Sequence, residues 1–166
     1  MKTLILAALL FQAAPSEPSD DGWRQSRVRV TVGDSEAALL HVAYTPRTDV
    51  PGTAFYCGEG KLRVRFATEA VDLRDTLGRL WTPTRYRTLR LTIDGEATEA
   101  ARWSYLPRVK LLVAGERKAS AQAFNAVVRG QTIAFDASGE RVEPHTPPVD
   151  AAFKAWVAAC KADGHL

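Results

Sequence analysis

The sequence predicts a mostly β protein of the α+β class: a single-domain β-sandwich or flattened barrel with a C-terminal helix stapled to it by a disulfide. Three observations carry this expectation. Apolar and polar residues alternate with a period of two through much of the chain, the mark of half-buried strands. Near the C-terminus the apolar spacing changes to that of an amphipathic helix. Cys57 falls in a strand pattern and Cys160 in that last helix.

The strands follow in order. Val28, Val30 and Val32 alternate with Arg27, Arg29 and Thr31, and Gly33-Asp34 turns the chain. Residues 38–44 give a second strand. A loop with Pro46, Pro51 and Gly52 leads into a third at 54–57. Gly58-Glu59-Gly60 is a tight turn. In the fourth strand Leu62, Val64 and Phe66 occupy one face, with Arg63 and Arg65 opposite. A fifth runs from Tyr86 to Ile93 and ends at Asp94-Gly95, a strong hairpin signal. Segments at 101–105 and 109–113, and the pair Ile133 and Phe135, complete seven or eight mainly antiparallel strands.

Three segments take a helical period. Leu73, Leu77, Leu80 and Trp81 form a stripe interrupted by Gly78. Ala121, Phe124, Val127 and Val128 form another, with Ser120 as its cap and Gly130 as its stop. Phe153, Trp156, Val157 and Cys160 share one face of the last helix, and Gly164 follows. Cys160 therefore points at the core, and a bond to Cys57 ties this helix to the third strand. The spacing excludes a CxxC redox motif and a two-cysteine zinc knuckle. The alternative is a pair of buried thiols.

The N-terminus sets the expected compartment. Lys2, the apolar run Leu4–Phe11 and the small residues around Ala14 and Ser16 form the three parts of a secretory signal peptide. The run is too short to span a membrane, which takes about 20 apolar residues. The reading is a signal peptide at 1–16, a polar lead-in at 17–22 and one β-rich domain at 23–166, placed in the periplasm or secreted. An oxidising compartment suits a disulfide. The chain is 46% hydrophobic and 25% charged, a globular composition rather than a disordered one. Its formal net charge of +3 falls by one with Lys2, too little to imply nucleic acid.

Motifs of chemistry are absent from the sequence. His41, His145 and His165 lack metal-ligand spacing. No serine stands in G-x-S-x-G, and no glycine-rich loop matches a phosphate cradle. His41, between Leu40 and Val42, reads as a sheet residue. No catalytic residue, metal or cofactor is expected.

The order of Trp23, Cys57 with Leu62-x-Val64-x-Phe66, Leu91-x-Ile93-Asp94-Gly95, Trp103, the Phe124 helix and the Cys160 helix resembles small exported proteobacterial proteins of the type VI secretion-associated accessory kind. Those relatives carry an F-x-L-x-G strand where this chain has Glu143–Pro148. The stretch from Tyr56-Cys57 to Phe66 is similar to periplasmic lysozyme inhibitors. The resemblances imply a non-enzymatic periplasmic or secreted binding or accessory protein, associated with the envelope or a secretion system. The alternative is a secreted inhibitor of an enzyme such as a lysozyme.

The expected partner is a protein or an anionic envelope polymer. If the apolar residues of each strand face the core, then Arg27, Arg29, Arg63, Arg65 and Arg90 face outward and form one basic stripe. Trp81, beside Pro83 in the chain, is a further candidate for partner contact.

Overall fold

Two turns organise the strands. Glu59 and Gly60 both take positive φ (49° and 66°), as do Asp94 and Gly95 (49° and 86°). Paired positive φ values match the twist of a tight antiparallel hairpin. The computed structural model describes residues 21–30, 38–46, 52–68, 85–106, 110–137 and 140–166. The expected leader, most of the lead-in, the Gly33-Asp34 turn and the Leu73–Trp81 helix, Trp81 included, lie outside the described residues.

The elements in chain order are β1 (Arg24–Val30), β2 (Ala38–Tyr44), β3 (Ala54–Gly58), β4 (Lys61–Ala67), β5 (Arg85–Leu89), β6 (Leu91–Ile93), β7 (Glu96–Ala97), β8 (Ala101–Leu106), β9 (Leu111–Ala114), α1 (Arg117–Val128), β10 (Ile133–Ala137), β11 (Glu140–Val142) and α2 (Ala151–Ala162). They form a seven-stranded sheet in the order β1-β2-β3-β4-β9-β8-β5 and a four-stranded sheet in the order β11-β10-β6-β7. Every pairing is antiparallel. The chain is thus mostly β, as its alternation predicts. The expected fifth strand is in fact two: it breaks at Arg90, so that β5 belongs to the large sheet and β6 to the small one.

Both helices pack on one face of the large sheet. In α1, Ala119, Ala123, Ala126 and Val127 are buried at positions i, i+4, i+7 and i+8. The small alanines let the helix approach β4 closely. Its N-cap is Glu116, four residues before the expected Ser120, whose hydroxyl instead bonds back to the Glu116 carbonyl. Gly130 takes the left-handed turn (φ 68°) that stops the helix. In α2, Phe153, Trp156 and Cys160 are buried, and Asp150 caps the first turn by accepting from the Phe153 amide.

Five rings, those of Trp23, Phe55, Phe124, Phe153 and Trp156, meet with centroids 4.8–6.1 Å apart and join the sheet to both helices. Phe66, Trp103 and Phe135 form a second stack that joins the two sheets. Such pairs contribute about 0.5–1.5 kcal/mol each beyond area burial. The Cys57–Cys160 bond is present, with Cα atoms 6.0 Å apart, and ties α2 to β3.

Trp23 opens the domain as an anchor. Its backbone N–H donates to Asp150 Oδ2 and its indole Nε1–H to the Pro147 carbonyl. The proline-rich stretch before α2 is therefore a strap that holds the start of the chain.

Candidate functional site

Directly opposed residues in an antiparallel sheet share a face, so the register sorts the large sheet into rows. One row runs through all seven strands: Arg24, Tyr44, Ala54, Arg65, Val113, Ser104, Tyr86. A second holds Ser26, Val42, Tyr56 and Arg63. Both rows lie on the face away from α1 and α2, which among the described residues is helix-free. The intervening row Arg27, His41, Cys57, Leu62 lies on the face that α2 covers.

This geometry corrects the expected arginine stripe. Arg63 and Arg65 are on the helix-free face, whereas Arg27 and Arg29 are on the other. Arg90 sits in the bend between β5 and β6, on neither strand. The premise fails at β1, whose valines do not face the core: Val28 is 42% exposed on the helix-free face. The reason is the C-terminal end of α2. That end carries Asp163 and the negative pole of the helix, and it favours cations beside it. The His41 hydrogen bond lowers the Asp163 pKa against the effect of burial, and the charge of Arg27 adds to it.

The helix-free face holds a groove of about 650 Å³ lined by Val28, Val30, Leu40, Val42, Tyr44, Tyr56, Arg65, Leu106, Leu111 and Val113, with Ser26 at its edge. This lies within the roughly 300–1,000 Å³ range of ligand sites. Beyond Tyr56 and Val113 the groove adjoins a polar hollow of about 440 Å³, bounded by Arg63, Tyr86, Arg102, Ser104 and Glu116 among others.

The electrostatics of this face are one-sided. Its described strand positions include Arg24, Lys61, Arg63, Arg65 and Arg102 and no carboxylate. Arg63 is held by the carbonyls of Ala114 and Gly115, at 3.2 and 3.1 Å. Arg102 lies over the ring of Tyr86, 4.7 Å from its centroid, and Tyr86 is itself 65% exposed. Arg65 differs from both: its Nε is buried and has no hydrogen-bond partner. Burial lowers the Arg65 pKa against the opposing influence of Tyr56. Burial raises the Tyr56 hydroxyl pKa, and Arg63 and Arg65 pull it back down. A partly desolvated cation is costly, and an anion beside this guanidinium in the groove would offset the charge, though not the enclosed Nε–H.

The opposite face has a polar corner. His41, 3% exposed, donates from Nε2 to Asp163 Oδ2 at 2.6 Å, and its carbonyl accepts from Trp156 Nε1–H. His165 Nδ1 accepts from the Gly60 amide. Among the described residues no hydroxyl or thiol is hydrogen-bonded to this His–Asp pair: Ser26 lines a hollow of about 260 Å³ with His41 but belongs to the opposite row of β1, and the cysteines are bonded to each other. The corner latches the end of α2 onto β2 and the β3–β4 turn. Among the described residues no group of three or more His, Cys, Asp or Glu is placed to hold a metal ion.

Sequence reasoning found Arg63 and Arg65 but missed Tyr56, Arg102 and the apolar floor. A signal for the floor exists. The ALLHVAY of β2 and the LLVA of β9 do not alternate, and unbroken apolar runs mark strands that are apolar on both faces. No protein-family model, curated protein or solved structure matches the chain.

Proposed function

We propose that this is an exported, non-enzymatic binding protein of the periplasm or extracellular space, and that the helix-free face of its large sheet is the binding surface. One observation carries the reading. That face joins a ligand-sized apolar groove to the guanidinium of Arg65, a half-buried cation in its lining. A sheet face that only met water would carry polar residues at Val28, Leu40, Val42 and Val113.

Export is supported by the leader pattern at Lys2 and Leu4–Phe11 and by a disulfide that suits an oxidising compartment. No helix among the described residues is long and apolar enough to cross a membrane. An accessory role at the envelope agrees with a cationic, apolar face, because envelope components combine negative charge with acyl chains.

The neutral fluorophore N-phenyl-1-naphthylamine tests the reading. The native protein brightens it saturably, at about one probe per chain, and Val42→Glu abolishes the signal while the far-UV circular dichroism stays native. If the native protein leaves the probe dark, or the variant binds it equally, the groove is not a binding site.

A further inference from the structure

The chemistry of the groove specifies its ligand more narrowly, on the basis of the binding surface proposed above. We propose that the occupant is a single-chain anionic amphiphile: an acyl chain lying over Val28, Leu40 and Val42, with its carboxylate at Arg65 and Arg63.

Dimensions support this choice. Strands β1 to β4 are consecutive neighbours in the sheet. Counting both interstrand steps and register, Val42 lies about 12 Å from Arg65, Leu40 about 16 Å and Val28 about 20 Å, a span that a medium to long acyl chain covers. Between them β3 presents Ala54, Tyr56 and Gly58 to this face. A Cβ at Gly58 would lie 2.4 Å from the Leu40 side chain, so Leu40 already lies across that glycine. Leu40 thus covers the Gly58 end of β3 and adds its apolar surface to the floor, and Tyr56, opposite Arg63, stands beside the head-group end.

Charge supports it independently. The Arg65 Nε–H has no acceptor within the described structure. Among the described residues Arg63 bonds to the backbone carbonyls of Ala114 and Gly115, which orient it without neutralising it. The Nε–H itself is enclosed, but the half-buried Arg65 guanidinium lines the groove; a carboxylate presents two acceptor oxygens to such a cation, and charge-assisted bonds of this kind are the strong ones. The same charges argue against a second copy of the chain as occupant. Face-to-face pairing would set five cations, Arg24, Lys61, Arg63, Arg65 and Arg102, against their own counterparts, with Glu116 the carboxylate at the edge of the adjoining hollow. A cationic amphiphile meets the same repulsion.

The test is displacement of N-phenyl-1-naphthylamine from the full, disulfide-bonded chain by three probes below their micelle concentrations: dodecanoate, dodecanol and dodecyltrimethylammonium. Dodecanoate is expected to bind roughly ten- to hundredfold more tightly than dodecanol, and dodecyltrimethylammonium more weakly than either. The advantage of dodecanoate should shrink as salt is raised. In Arg65→Met, which keeps an apolar stem, the preference should collapse while dodecanol affinity stays within about threefold. Equal affinities for dodecanoate and dodecanol in the native protein would overturn this inference and leave the binding surface standing. So would an equal loss of both ligands in Arg65→Met. Failure of the fluorophore itself to bind would remove the surface as well. If Arg65→Met does not fold, the three probes on the native protein decide the matter alone.

Discussion

Removing the disulfide tests how the C-terminal helix is held. In Cys57→Ala/Cys160→Ala, the lost link closes a loop between residues 103 apart in sequence. Loop-closure entropy at that length gives about 4.7 kcal/mol of stabilisation, exerted through the unfolded chain. Both sulfurs are fully buried, so each alanine also vacates core volume, and relaxation around the site offsets part of the total. The expected loss is about 4–6 kcal/mol. Domain stabilities are typically 5–15 kcal/mol, so the variant lies near the edge of folding. Its melting temperature should fall by roughly 10–20 °C.

The native arrangement has other ties. Phe153 and Trp156 pack on Phe55, Trp156 bonds the His41 carbonyl, and His41 bonds Asp163. The helix should therefore remain docked at 25 °C. Urea unfolding followed by circular dichroism measures the loss, and hydrogen exchange of residues 151–162 reports docking. A loss below about 1.5 kcal/mol would refute the chain-entropy reasoning. An α2 exchanging as freely as a coil would show that the aromatic cluster does not hold it.

Three further outcomes follow from single side chains. Asp150→Ala removes the α2 cap and strands the buried Trp23 amide, and is expected to cost about 2–4 kcal/mol by urea titration. Asp150→Asn, which keeps one acceptor oxygen, should cost about half as much. The Asp163 carboxyl is held below its ordinary range by the His41 hydrogen bond, with the charge of Arg27 adding to it. A depressed carboxyl stabilises the fold above its unfolded pKa of about 3.9 and loses that contribution as pH falls through the folded value. The stability gap between native protein and Asp163→Asn should thus be present at pH 5 and close in acid unfolding curves below about pH 4. Gly115→Ala would set a Cβ 2.7 Å from the Arg102 carbonyl, prying β8 from β9 at a cost of about 1–3 kcal/mol in thermal unfolding.

Much of the fold is legible in the sequence because its signals are local. The alternation in β4 sets Leu62, Val64 and Phe66 against Arg63 and Arg65, and the structure keeps that division. The Asp94-Gly95 turn and the Gly130 and Gly164 stops depend on backbone chemistry that those residues alone supply cheaply. The Cys160 face of α2 follows from helical spacing, and Cys57 opposes it as expected.

The candidate site is less legible because it depends on register between distant strands. Nothing local places Val113 of β9 beside Arg65 of β4. In β1 the alternation predicts valines facing the core, and the structure turns them the other way, with Arg27 on the face that α2, over 120 residues later in the chain, covers. The split of the fifth strand at Arg90 is likewise decided by β8 and β10, which pair with its two halves in different sheets.

The central claim is that the helix-free face binds and the helix-covered face packs. Methyl-resolved NMR of the protein titrated with dodecanoate tests this most directly, since valine and leucine methyls mark both faces. Shifts confined to Val28, Leu40, Val42, Leu106, Leu111 and Val113, saturating with one ligand per chain, are the predicted result. Shifts centred on Val64, Leu91 and Leu112 of the packed core, or no saturable shift at all, would contradict it.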